Sequence, residues 1–137
     1  MSVLKKDRGE SAVQFLETAR NLEIFTLRTC AKFPKRYTFL ITAEIAQLSR
    51  SIYNNVKSAN SIFPTNQSEV QMRRNFFTKA NCDLQCLVSQ LDIAKTMFGE
   101  EVKVGTWCQL MDLIEEEAKL ISAIKKIDKE RYKDLPL

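Results

Sequence analysis

The sequence predicts an all-α protein, an antiparallel up-down-up-down four-helix bundle built as one domain over residues 1–137. Three observations predict it. Apolar residues recur at spacings of three and four through four long stretches, which is the period of one helix face. Three Gly and three Pro supply too few turns for a sandwich or barrel, which needs a turn signal about every 8–12 residues. A hydrophobic content of 45% is too high for a disordered chain.

The first helix is expected over about residues 11–32. Val13, Leu16, Ala19, Leu22, Phe25, Thr26, Leu27 and Cys30 share a broad stripe, while Phe15 and Ile24 fall off it. Ser11 is the expected N-cap, with Gln14 as its capping-box partner. Phe33-Pro-Lys-Arg36 ends the helix, because proline disfavours helical geometry in the residue before it. The second helix, about residues 38–62, carries the seam Ile41, Ile45, Leu48, Ile52, Val56, Ala59 and Ile62. Pro64 to Ser68 reads as a turn, with Ser68 as N-cap of a third helix over about residues 69–98. Its stripe is Phe77, Ala80, Leu84, Leu87, Leu91, Ala94 and Phe98, and Gly99 is placed to cap its end. Thr106 is expected to cap a fourth helix, about residues 106–130, along Leu110, Ile114, Ala118, Ile121 and Ile124. That helix frays into Lys125 to Lys133 and a C-terminal tail. Short connections make neighbouring helices antiparallel, and Ile45, Leu48, Ile52, Leu84, Leu87, Leu91, Ile114 and Ile121 form the expected core.

Zero histidines remove the commonest general base and metal ligand, which excludes a histidine-dependent nuclease or triad hydrolase. No phosphate-binding glycine loop, nucleophile elbow, zinc-protease helix or calcium loop is present, so the chain reads as no enzyme, with no cofactor. Cys82 and Cys86 lie one helical turn apart, but nothing completes a four-ligand zinc set, and the four cysteines are expected to be buried free thiols. The absence of a secretory leader or an apolar run long enough to span a bilayer points to a cytoplasmic protein.

The net charge of +4 is unevenly spread. Residues 1–36 hold eight cations against four acids, including Lys5, Lys6 and Arg8, whereas residues 99–137 hold seven against nine. Arg28, Lys32, Lys35 and Arg36 cluster at one helix end and its turn, making them the first choice for phosphate contact. Arg73, Arg74 and Lys79, near the start of the third helix, are the second choice. Glu115-Glu116-Glu117 with Lys119 reads as a solvated, i,i+4-paired face. Phe39, Ala43, Ala46, Tyr53 and Phe63 add apolar surface beyond one seam, favouring a homo-oligomer.

Met1-Ser-Val-Leu-Lys, Phe33-Pro-Lys-Arg-Tyr37, Lys57-Ser-Ala-Asn-Ser-Ile-Phe-Pro64 and Leu84-Gln-Cys-Leu-Val-Ser-Gln-Leu-Asp92 resemble the Avd-like four-helix-bundle proteins. These are the accessory variability determinants of diversity-generating retroelements in bacteria and phages, related to the bundle proteins of ribosomal-RNA intervening sequences. The resemblance runs from about Glu10 to Lys126. It implies a non-enzymatic accessory subunit, assembled as a homopentamer, that partners a reverse transcriptase and binds RNA or DNA during mutagenic retrohoming. Arginines that family members often carry late in the third helix are missing, since that stretch reads Leu87-Val-Ser-Gln-Leu-Asp-Ile-Ala-Lys95. A structural or adaptor bundle with only a protein partner is the alternative.

Overall fold

A computed structural model describes the backbone from Ser2 to Leu137 and the side chains from Gln14 onward. Four long helices account for most of it: α1 (Ser2–Cys30), α2 (Ala43–Asn60), α3 (Gln67–Phe98) and α4 (Val104–Arg131). No strand occurs among the described residues, and no helix among them is long and apolar enough to cross a membrane. Each helix packs on two others: α2 on α1 and α3, and α4 on α1 and α3.

The core follows a seven-residue repeat. Buried positions on α3 are Arg73, Phe77, Ala80, Leu84, Leu87, Leu91, Ala94 and Phe98, alternating four and three. On α4 they are Trp107, Leu110, Ile114, Glu117, Ile121, Ile124 and Asp128, with the same alternation. On α1 the run is Phe15, Ala19, Leu22, Thr26 and Thr29, and Phe33 continues it just beyond the helix. Phe15 therefore belongs to the core, where it meets Phe77 edge-on at 5.5 Å, rather than to a second face. Buried Thr26 and Thr29 donate to the carbonyls of Leu22 and Phe25, four residues back, so their hydroxyls need no partner elsewhere. All eight expected core residues are buried.

Contacts fix which ends meet. Phe33 lies edge-on to Phe98 and stacks on Trp107, and Tyr37 stacks on Phe98, so the α1–α2 and α3–α4 connections share one end. Trp107 donates its Nε1–H to the Gly99 carbonyl at 3.2 Å, tying the turn to α4. Midway, Ser51 and Asn55 of α2 donate to Asp83 of α3 at 2.5 and 3.0 Å.

Several boundaries differ from the sequence expectation. The backbone is already helical from Ser2, and the side chain of the expected cap Ser11 lies outside the described residues, as do those of Val13, Lys5, Lys6 and Arg8. After Pro34 the chain forms a 3-10 turn (Lys35–Tyr37) and a π-helical turn (Thr38–Thr42) before α2 proper. Ile41 stays buried there while Phe39 and Leu40 are 95% and 75% exposed. Asn66, not Ser68, caps α3: its side chain accepts from the Glu69 N–H at 2.9 Å. Glu69 reaches back to accept from the Thr65 N–H and hydroxyl, which lowers its carboxyl pKa. Gly99 does cap α3, in a right-handed conformation that continues into a short 3-10 turn. Extended Val102 and Lys103 let α4 begin at Val104, two residues before the expected cap Thr106.

The chain after α4 does not fray. Gln67 donates from Nε2 to the carbonyls of Tyr132 and Leu135, and its N–H donates to Pro136 at 2.9 Å. Two side-chain expectations also fail. Cys82, Cys86 and Cys108 are exposed and Cys30 is half-buried, because the first three fall between core positions of the seven-residue repeat. Glu117, expected on a solvated face, takes the core position assigned to Ala118, and Glu115 and Lys119 form no ion pair among the described residues.

Candidate nucleic-acid interface

The seam between α3 and α4 gathers cations from both helices, and Arg73 organises it. Its guanidinium is buried, donating from Nε to Asp128 Oδ2 at 2.6 Å and from Nη2 to Oδ1 at 3.4 Å. Nη1 donates to the carbonyls of Ala59 and Ile62, at 3.0 and 3.3 Å, fastening the end of α2 to α3. With its side chain 5% exposed, Arg73 is a structural tie between α2, α3 and α4 and is removed from the phosphate-binding set.

Arg74, one residue on, turns about 100° around the helix and is exposed. It joins Lys125, Lys126 and Lys129 of α4, with Asn81 and Ser122, in a groove of about 290 Å³. An adjoining groove of about 450 Å³ shares Arg74, Lys125 and Lys129 and adds Gln67, Tyr132 and Lys133. These cations recur at three- and four-residue spacing on α4, which puts them on one face. The acid within this surface, Asp128, is already neutralised by Arg73. Lys133 pairs with Glu130 at 3.0 Å, in solvent.

Lys125 is the focus. Its Nζ donates to Thr78 Oγ1 at 3.2 Å, which holds the ammonium against α3. Burial lowers its pKa from the ordinary lysine value, and the neighbouring Arg74 charge lowers it further, against an opposing effect of Cys82. Two cations held together with no free acid attract an anion, which relieves their repulsion. Phosphate oxygens fit such donors, and a row of them fits a nucleic-acid backbone.

The first-choice residues from sequence lie at the other end. Arg28 sits in the last turn of α1, and Lys32, Lys35 and Arg36 follow it, all exposed. Arg36 is less free than its sequence neighbours suggested, since it meets Glu101 at 3.0 Å and lies over the Tyr37 ring. Glu101 arrives from the α3–α4 connection, 65 residues away, which sequence distance conceals. Lys79 is exposed with its Nζ over the Phe76 ring at 5.3 Å, and it does not line the groove around Arg74. Lys125, Lys126 and Lys129 lie where the sequence predicts a fraying end, whereas α4 continues to Arg131; their three- and four-residue spacing is the signal that places them on one face.

Among the described residues no group of three or more acids and cysteines is placed to hold a metal ion. Comparison of the chain with protein-family models, with curated proteins and with solved structures finds no match.

Proposed function

We propose that this chain is a non-enzymatic accessory subunit of a diversity-generating retroelement, binding nucleic acid and a reverse transcriptase. The observation that carries the nucleic-acid part is the groove in which Arg74, Lys125, Lys126 and Lys129 converge, with no acid in its lining and the acid of the adjoining groove, Asp128, held by Arg73. The retroelement and polymerase part rests on the resemblance of Phe33-Pro-Lys-Arg-Tyr37 and its companion segments to Avd-like proteins. In this reading the helices form an up-down-up-down antiparallel bundle, which the Arg73–Asp128 and Phe33–Phe98 contacts support. The subunit is cytoplasmic and homopentameric, and five copies would concentrate cations enough to make binding strongly salt-dependent.

The test is retention of single-stranded RNA and DNA by the purified protein over a salt series. Lys125→Ala/Lys129→Ala lowers affinity and reduces the slope of log K against log salt by about 0.7–0.9 per lost phosphate contact. No salt-sensitive retention at low ionic strength overturns the reading. The adaptor alternative then takes its place, with pull-down of the reverse transcriptase as its remaining test. That alternative draws on a specific observation: Phe39, Leu40 and Phe63 are strongly exposed.

A further inference from the structure

A second groove, of about 510 Å³, opens along the other half of the α3–α4 seam. Its apolar floor is Val88, Leu91, Trp107 and Met111, and two carboxylates, Asp92 and Asp112, line it against one cation, Lys95. At the end of the molecule where the α1–α2 and α3–α4 connections meet, the π-helical turn before α2 leaves Phe39 and Leu40 strongly exposed. A π-helical turn is rare and gathers at functional sites. Here it keeps Ile41 in the core while two successive large apolar side chains face outward.

We propose that Phe39 and Leu40 of one copy insert into the α3–α4 groove, beside Asp92 and Asp112, of a second copy of this chain. The knob does not fill its own groove, since Phe39 and Leu40 are strongly exposed and neither lines it. Charge matches as well as shape. Lys35 lies four residues before Phe39, is exposed and has no ion pair among the described residues. It would arrive with the knob at the acidic lining. An aromatic anchor of this kind buries about 150–250 Å² and favours a concave, partly apolar site of a few hundred cubic ångströms. Because knob and groove are different surfaces, the contact is head-to-tail, and it generates a closed ring or an open filament. The inference rests on the self-association in the proposed function, and not on nucleic-acid binding.

The protein supplies its own reporter, since Cys108 is exposed and lines the groove. In a Cys82→Ser/Cys86→Ser background, Leu40→Cys is oxidised with diamide and the products are mapped by mass spectrometry. The expected result is an intermolecular disulfide between the new thiol and Cys108, absent when position 40 is Leu. Sedimentation gives the second arm. Phe39→Asp and Asp112→Lys each shift the assembly to a 15.8 kDa species of unchanged circular dichroism. Adding Lys35→Glu to Asp112→Lys restores the assembly, which a fold defect would not allow. An assembly that survives Phe39→Asp and gives no link to Cys108 overturns this interface and leaves self-association standing. A parent protein that is monomeric at micromolar concentration overturns both, while its retention of RNA or DNA is scored separately.

Discussion

Arg73 and Asp128, 55 residues apart, close a two-point guanidinium–carboxylate contact with both side chains at least nine-tenths buried. Arg73 also lies over the Phe77 ring at 5.2 Å, so the charge has an aromatic face as well as oxygen partners. Removing one member leaves the other ionised and buried, and such single deletions cost about 3–5 kcal/mol. Asp128→Ala is expected to lower the urea midpoint accordingly. Replacing both, Arg73→Met/Asp128→Leu, costs much less than the single change, because no orphan charge remains.

Glu117 makes the opposite prediction. It is fully buried, neither carboxylate oxygen has a hydrogen-bond partner, and burial, helped by Glu116, pushes its pKa from 4.5 to about 8. Folded protein therefore holds a proton that unfolded chain releases near 4.5. The contribution of this group is most favourable below that value and is lost as pH rises through about 8. At about 1.4 kcal/mol per pKa unit the loss is of the order of a few kcal/mol. Glu117→Gln is expected to be more stable than the parent at pH 8 and nearly equal at pH 4. Denaturation at the two pH values measures the difference.

Lys35→Ala/Arg36→Ala tests the other basic end. The Arg36–Glu101 pair lies in solvent, with its side chains 62% and 46% exposed, so screening by water leaves its loss little effect on stability. A pair change that leaves the thermal midpoint nearly in place but flattens the salt slope would show that this end also meets phosphate.

Thiol titration reads the cysteines directly. Cys82, Cys86 and Cys108 are exposed, whereas Cys30 is half-buried with its thiol pKa pushed up to about 11 by burial. In native protein at pH 8, a disulfide reagent is expected to react quickly with Cys82 and Cys86 and slowly with Cys30, while Cys108 reacts quickly in the Phe39→Asp variant and more slowly where the groove is filled. Denaturant equalises all four.

Much of the fold was legible because core positions are mostly occupied by apolar residues. The runs Phe77 to Phe98 and Ile41 to Ala59 appear in the structure as read. What failed has a common cause. A rule that reads charge as surface cannot place Arg73, Glu117 or Asp128, although counting sevens from Trp107 reaches Asp128, from Leu110 reaches Glu117, and back from Ala94 reaches Arg73. The same count puts Cys82, Cys86 and Cys108 outside the core. Caps were harder. Asn66 wins over Ser68 because Glu69 and Thr65 bond around it, and no pattern in the apolar residues reports that. The basic groove needs two helices to be seen at once, since Arg74 and Lys125 are 51 positions apart in sequence.

The seven-residue repeat leaves one ambiguity that the buried charges remove. Two helices with identical heptads can slide past each other by one repeat, about 10 Å, and bury nearly the same apolar area. Here such a slide of α4 would carry Asp128 away from Arg73 and bring an aliphatic residue against the guanidinium. Each misaligned packing thus holds an unmatched ion in the interior, so one alignment is selected over its neighbours. Arg74 and Lys125 are brought level by that same alignment, and the spacing of the cations along the groove is inherited from a pair that never meets solvent.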